Sequence, residues 1–98
     1  MNMQQMLMQA QKMQREMQKA QDELAKKEFK ISKNGIVTVT MMGSKEIISI
    51  EIADAALDVD DKEFLELAIK DAVNEGISQI EEANEEIQSR ITSRMPGF

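Results

Sequence analysis

The chain has 98 residues, of which 42% are apolar but only three are aromatic, and it contains neither Cys nor His. This composition excludes disulfides, Cys/His metal sites and catalysis by an imidazole or a thiolate, and we expect a single domain over residues 1–98. The formal net charge is −6, yet residues 1–30 carry six Lys/Arg against four Asp/Glu, whereas residues 53–98 carry four against twelve. The net charge argues against indiscriminate binding of nucleic acids, and the uneven distribution makes the first end mildly basic and the last end strongly acidic.

Residues 1–27 are predicted to form one helix, because they include no Gly, Pro or β-branched residue and are rich in good helix formers. Their apolar residues recur at alternating steps of three and four, which is the seven-residue repeat of a coiled-coil seam. The seam consists of Met3, Met6, Ala10, Met13, Met17, Ala20 and Leu24. Such a seam requires another helix to cover it.

Residues 28–52 are predicted to form three antiparallel strands, because apolar and polar residues alternate there and breakers occur near Gly35 and Gly43. We expect a three-residue loop at 33–35, with Gly35 in a left-handed conformation. That loop places Ile31 opposite Val37, and Phe29 opposite Val39, so that one face of the hairpin is apolar.

Residues 60–94 are predicted to form a long helix. Asp60 and Glu63 have the spacing of a capping box, and Val59 and Phe64 that of a hydrophobic staple. Pro96 and Gly97 follow the last helical turn, while Gly76 is tolerated inside the helix. A helix of this length measures roughly 45 Å, whereas a compact chain of this size has a radius of gyration of about 13 Å. The helix must therefore project from its own domain.

The apolar faces of both helices need cover, either from each other or from a second copy of the chain. The residues predicted for this dimer or helix seam are Met6, Met13, Met17, Leu24, Ile80, Ile87 and Ile91. The predicted fold class is α+β, in the order α-β-β-β-α, with a three-stranded antiparallel sheet flanked by two long helices.

The sequence predicts neither a membrane span nor a metal site. The longest apolar run is three residues, which indicates a soluble, cytoplasmic protein. The acidic residues near position 60 lack the glycine and the spacing of a calcium loop, and capping accounts for them. Glycine-rich loops that cradle phosphates are absent.

A row of cations lies opposite the seam of the first helix. In the heptad that places Met3 at position a, Lys12, Lys19 and Lys26 fall at c, and Arg15 at f. Such a row can neutralise successive phosphates of a nucleic acid. The residues alone leave a second interpretation open, in which the row is a solvated face that is paired at i, i+4.

The i, i+4 pairs of that second interpretation are Lys12 with Glu16, Lys19 with Glu23, and Asp22 with Lys26. Two further cations, Arg90 and Arg94, lie near the end of the last helix. They either compensate the helix dipole or contact phosphates.

The ordered set of motifs resembles the YbaB/EbfC family of bacterial nucleoid-associated proteins over nearly the whole chain. No single motif is specific, but their order and spacing are. The matching segments are Met8-Gln9-Ala10-Gln11-Lys12-Met13-Gln14, Ile36-Val37-Thr38-Val39 followed by Gly43, Ile50-Glu51-Ile52, Asp60-Asp61-Lys62-Glu63, Asn74, Ile80-Glu81-Glu82 and Pro96-Gly97-Phe98.

This resemblance implies a tweezer-like homodimer that binds double-stranded DNA with little or modest sequence preference, in nucleoid organisation or gene regulation. It implies no cofactor, no catalysis, no small-molecule substrate and no membrane partner. With it, the predicted DNA-binding residues are Lys12, Arg15, Lys19, Lys26, Lys27, Arg90 and Arg94. The alternative function is a prefoldin-like chaperone or helical scaffold, in which a Met-rich helix end contacts clients.

Overall fold

The order of elements is helix, three strands, helix, in a computed structural model that describes residues 2–94. The three strands form one antiparallel sheet in the order β1-β2-β3, and this arrangement confirms the predicted α+β fold class. The bounds are α1 (Met3–Ala25), β1 (Glu28–Lys33), β2 (Val37–Met42), β3 (Ile47–Ile52), 3-10 turns at Asp54–Ala56 and Val59–Asp61, and α2 (Lys62–Thr92). The segment Pro96-Gly97-Phe98, used above as a helix stop and as a family motif, lies outside the described residues.

The first helix begins with a capping box that the sequence reasoning above did not identify. The Gln5 backbone N–H donates to the Asn2 side-chain oxygen over 2.8 Å, and the Asn2 N–H donates to the Gln5 side chain over 3.3 Å. The pattern Asn-x-x-Gln before an apolar seam was the available signal. This cap fixes the start of α1 at Met3.

The register between β1 and β2 differs from the prediction by two residues. Ile31 pairs with Val39 instead of Val37, and Phe29 pairs with Met41 instead of Val39, so the predicted partners were wrong. Because the shift is an even number, the predicted apolar residues still share one face of the sheet. All five of these side chains are buried.

The β1–β2 turn explains the shift. Asn34 and Gly35 both have positive φ, of 55° and 68°, which confirms the left-handed conformation predicted for Gly35. The Ile36 N–H donates to the Lys33 carbonyl over 3.0 Å, as in a tight two-residue turn. Val37 nevertheless pairs with Lys33 in the ladder, so Ile36 is one extra residue that keeps the apolar faces aligned.

The core lies where α2 crosses β1 and β2. The centre of the buried α2 face consists of small residues, Ala68, Ala72 and Gly76, followed by Ile80. A Cβ atom added at Gly76 would lie 2.8 Å from the sulfur of the fully buried Met41. The helix therefore requires a glycine at position 76, because the absence of a side chain there allows α2 to lie close to the sheet.

The second helix begins two residues later than predicted. Asp60 lies in a 3-10 turn and α2 starts at Lys62, because Asp58 accepts a hydrogen bond from the Asp60 N–H over 3.0 Å and caps that turn instead. The Val59 side chain is 88% exposed, so the predicted staple with Phe64 does not bury it. The N-cap residue of α2 itself, Asp61, makes no side-chain cap hydrogen bond, so the predicted capping box of Asp60 with Glu63 was wrong.

The two helices pack against each other within the chain, in opposite directions. Leu24 of α1 and Ile80 of α2 belong to the same buried cluster, and Arg94 lies 3.9 Å from Glu16. Ile91 is also buried. The resulting body measures 69 × 20 × 14 Å with a radius of gyration of 19.5 Å, which agrees with the expected projection of the long helix.

The turn between β2 and β3 contacts the end of α1 through Gly43. The Gly43 N–H donates to the Lys27 carbonyl over 2.8 Å, and a Cβ atom at Gly43 would overlap the Leu24 carbonyl oxygen.

We expect Gly43→Ala to lower the free energy of unfolding by about 1–3 kcal/mol. The backbone at Leu24 cannot move away from the added methyl group as the end of a flexible side chain could. Urea denaturation at fixed protein concentration measures this loss. Ser44 is the exposed neighbour of Gly43, and Ser44→Ala should lower the free energy of unfolding by less than about 0.5 kcal/mol. An equal loss in both variants would contradict the steric explanation.

The left-handed turn generates a second prediction. Nothing lies within 4 Å of a Cβ atom at Gly35, so a substitution there is opposed by its φ of 68° and not by neighbouring atoms. Gly35→Val should lower the free energy of unfolding by more than about 1 kcal/mol, and Gly35→Asn by clearly less, because Asn accepts positive φ. Equal midpoints for the two variants in the same denaturation experiment would reject the conformational origin of the loss.

Candidate nucleic-acid interface

The cation row consists of three residues of α1 and the residue that caps its end, and all four are exposed on one side; they are Lys12, Arg15, Lys19 and Lys26. Three of them, Arg15, Lys19 and Lys26, line a single shallow depression together with polar and acidic residues of the same helix. Lys12 is also exposed, and it precedes Arg15 by about one turn of the helix. From Lys12 to Lys26 the row extends over about 21 Å at 1.5 Å per residue.

Within residues 2–94, carboxylates pair with cations outside this row but not in it. Of the twelve Lys and Arg residues, all within residues 2–94, four lie within 4.0 Å of a carboxylate. These pairs are Lys33–Glu75 at 3.0 Å, Lys45–Glu81 at 3.4 Å, Lys62–Glu66 at 3.9 Å and Arg94–Glu16 at 3.9 Å.

The i, i+4 pairs considered for α1 are therefore not formed among the described residues. Asp22 instead accepts a hydrogen bond from the Gln18 side chain over 3.0 Å, which occupies one of its oxygens. The row consequently keeps its positive charge available to an external anion.

Lys27 and Arg90 lie in the groove between the two helices. Four apolar and four charged residues line this groove; they are Ala20, Glu23, Leu24, Lys27, Ala83, Glu86, Ile87 and Arg90. The Lys27 ammonium also lies 5.3 Å from the centre of the Phe29 ring, a cation–π contact. The structure thus brings two predicted residues together, although two carboxylates share the groove.

Arg94, which follows the end of α2, lies beside α1. Its guanidinium lies 3.9 Å from the Glu16 carboxylate, and the side chains are 63% and 38% exposed, respectively. An exposed pair of this kind contributes at most about 1 kcal/mol. Arg94 is therefore close to the row, but part of its charge is offset by Glu16.

The opposite charge is concentrated on α2. Glu81, Glu82, Glu85 and Glu86 are all exposed, and only Glu81 has a cation within 4.0 Å among the described residues. Like charges repel a phosphate backbone. The electrostatics of the chain therefore favour approach of a polyanion from the α1 side.

The described residues offer neither a metal cage nor a membrane span. No three acidic side chains within residues 2–94 are arranged to hold a metal ion. Across the same residues, no helix is both long and apolar enough to cross a bilayer.

The seam residues divide into a covered and an open part. Leu24, Ile80 and Ile91 are buried within the chain, and Met13, Met17 and Ile87 are half-buried. Met6 is exposed, as are its seam neighbours Met3 and Ala10. One chain thus covers the inner seam with its own α2 and leaves the outer seam open.

The sequence reasoning missed an apolar surface on β3. Four isoleucines of this edge strand are 37–55% exposed; they are Ile47, Ile48, Ile50 and Ile52, and are here termed the β3 surface. Because Ile50 pairs with Val39 and Ile52 with Val37, both lie on the core face of the sheet. They stay exposed because α2 packs on β1 and β2. The density of isoleucine in 47–52 was the available signal.

Comparison with known proteins identifies the family. The model of the YbaB/EbfC DNA-binding family matches residues 1–95. The chain belongs to the YbaB/EbfC family. Among YbaB/EbfC relatives, a nucleoid-associated protein of Mycoplasmopsis pulmonis is 43% identical over 93 residues, covering 95% of this chain and 92% of the relative. A nucleoid-associated protein of Clostridium botulinum is 45% identical over 97 residues, and the match covers 98% of this chain and 86% of the relative.

A solved structure supports the fold of this YbaB/EbfC chain. The crystal structure of an uncharacterized protein from Helicobacter pylori superposes with a TM-score of 0.77, and the match covers 94% of this chain and 98% of the other. The two sequences are 22% identical, so this likeness concerns the fold alone. The resemblance inferred from the motifs is thereby confirmed at the level of the YbaB/EbfC family.

Proposed function

We propose that this protein binds double-stranded DNA as a homodimer, with little or modest sequence preference, and acts in nucleoid organisation or gene regulation. The exposed row of Lys12, Arg15, Lys19 and Lys26, free of carboxylate partners among the described residues, is the observation that carries the proposal. The family and the names of its relatives support the same function and a location at the nucleoid.

DNA binding through this row is electrostatic. Each ammonium or guanidinium that contacts a phosphate releases a condensed counterion, and this gain does not depend on base sequence. Lys27 and Arg90 in the helix groove, and Arg94 at its end, are proposed as further phosphate contacts. The acidic α2 face keeps the duplex on the α1 side.

The β3 surface is proposed as the homodimer contact. An edge strand leaves backbone N–H and C=O groups without partners, and an identical strand related by a two-fold axis can pair with them. The same contact would remove Ile48, Ile50 and Ile52 from water. Two α1–α2 arms then project from one central sheet like tweezers, and the cation row is presented twice.

Reversal of the row tests the DNA contact. The triple variant Lys12→Glu, Lys19→Glu and Lys26→Glu should weaken binding to all duplexes alike. It should also flatten the salt dependence by about 0.9 per lost phosphate contact on logarithmic axes. A gel-shift titration over a series of salt concentrations measures both effects.

A matched control carries the same charge change elsewhere. Lys30→Glu, Lys62→Glu and Lys70→Glu alter the net charge equally but lie outside α1. Equal losses in both triple variants would assign the effect to net charge and contradict the α1 contact. No shift of any duplex at low salt would reject DNA binding itself, and protection of unfolded clients would then favour the chaperone alternative.

Substitution at β3 tests the homodimer. Ile50→Lys should convert the protein to an 11 kDa species in sedimentation at micromolar concentration, because two ammonium groups would meet at the two-fold contact. The melting temperature of the unaltered protein should rise with its concentration, by mass action, and that of the variant should not.

Two further variants complete this experiment. Ile48→Lys, at the most exposed β3 isoleucine, repeats the test if Ile50→Lys disturbs the core. Leu57→Lys is the matched control, since Leu57 is exposed and apolar but lies outside β3, and it should remain dimeric. A folded, unaltered protein that sediments as a monomer would overturn the homodimer.

A further inference from the structure

The outer end of α1 extends beyond the end of α2. Because Arg94, two residues after α2, contacts Glu16, no helix within residues 2–94 lies beside the residues before about position 13. We term residues 2–11 the α1 tip. Its apolar side chains are largely exposed, with Met3 at 86% and Met6 at 57%.

The tip continues a seam that is covered elsewhere. Met3, Met6 and Ala10 have the same three- and four-residue spacing as the inner seam, from Met13 to Leu24, on which α2 packs. This spacing forms a strip suited to one more helix. The open strip is thus the continuation of an interface that already exists inside the chain.

The missing charge of the tip, together with its continuity with the α1–α2 interface, favours a second copy of the chain as the occupant. No charged side chain occurs in residues 2–11. The flanking heptad positions e and g, which face a partner helix, hold Asn2, Leu7, Gln9 and Gln14, and the first charged flank, Glu16, is paired with Arg94. The side chains of the tip therefore offer no charge that would attract either a basic or an acidic partner. Two tips of the same chain meet without repulsion, despite a net charge of −6 on each.

We infer that the α1 tips of two copies pair in antiparallel orientation. In an antiparallel coiled coil a positions meet d positions, so Met6 of one copy packs over Ala10 of the other, and Met3 reaches Met13, which α2 leaves half-buried. Large meets small in the two central layers, and the unbranched Met adapts to the gaps in the outer ones. Glutamine and asparagine at the flanks remain hydrated.

This contact is short, which determines when it forms. It spans about two heptads, a length at which an isolated helix pair is marginal in water. Copies held close together on one duplex raise each other's effective concentration and thereby promote pairing. Together with the proposed homodimer, on which this step rests, two tips per dimer connect dimers into chains.

Engineered cysteines test the contact and its register, because the chain has no cysteine of its own. A mixture of Met6→Cys and Ala10→Cys proteins should cross-link under mild oxidation several-fold more than either protein alone. A Met6→Cys protein that cross-links as well as the mixture would indicate parallel helices and overturn the register. Absence of cross-links in all samples, with and without DNA, would overturn the tip contact.

The same experiment separates failure of the tip contact from failure of the homodimer. Each chain then carries one cysteine, so disulfides join chains only in pairs, and sedimentation of the oxidised sample under native conditions reports what joins the pairs. With Ile50→Lys added, the cross-linked protein should sediment as pairs, whereas without that change it should sediment as higher multiples. Pairs alone in both backgrounds would contradict the homodimer and leave the tip contact supported.

Sedimentation provides a second readout with a matched control. Met3→Gln combined with Met6→Gln should abolish the concentration-dependent rise in sedimentation coefficient on DNA fragments. Met8→Gln makes the same chemical change at heptad position f, opposite the seam, where Met8 is 62% exposed. Met8→Gln should behave like the unaltered protein, and equal losses in both variants would reject the seam as the contact.

Discussion

The close approach of α2 to the sheet determines where the other elements lie. Ala68, Ala72 and Gly76 bring the helix axis near β1 and β2, and Met41 fills the space that Gly76 leaves. Larger side chains in this row would force the two layers apart. One helix is about as wide as two strands, so α2 over β1 and β2 leaves β3 uncovered.

The position of α1 follows from that of α2. Gly43 allows the β2–β3 turn to touch the end of α1 through backbone contacts, and the inner seam then lies along the second half of α2. The side of α1 opposite the seam is left to water, and that side carries the cations. Packing and electrostatics thus occupy different faces of one helix, so changes on one face leave the other intact.

Periodicity in the sequence was sufficient for the element order and for the cation row, because both depend on spacing within one element. The hairpin register was not predictable in this way, since pairing Ile31 with Val37 or with Val39 buries the same face. The start of α2 depended on which of two neighbouring aspartates caps first, a competition between local hydrogen bonds. The exposed β3 surface depended on the width of α2 relative to the sheet, which no local pattern contains.

The length of the molecule has a consequence for how densely it can occupy DNA. One helical turn of the duplex measures about 34 Å and contains about ten base pairs, whereas the chain is 69 Å long. A chain that lies lengthwise on a duplex therefore covers about two turns. In the proposed complex, such a chain would exclude another from roughly twenty base pairs, and this footprint would limit the number of copies bound at saturation. Coverage of a long duplex would then level off at a spacing determined by the two helices.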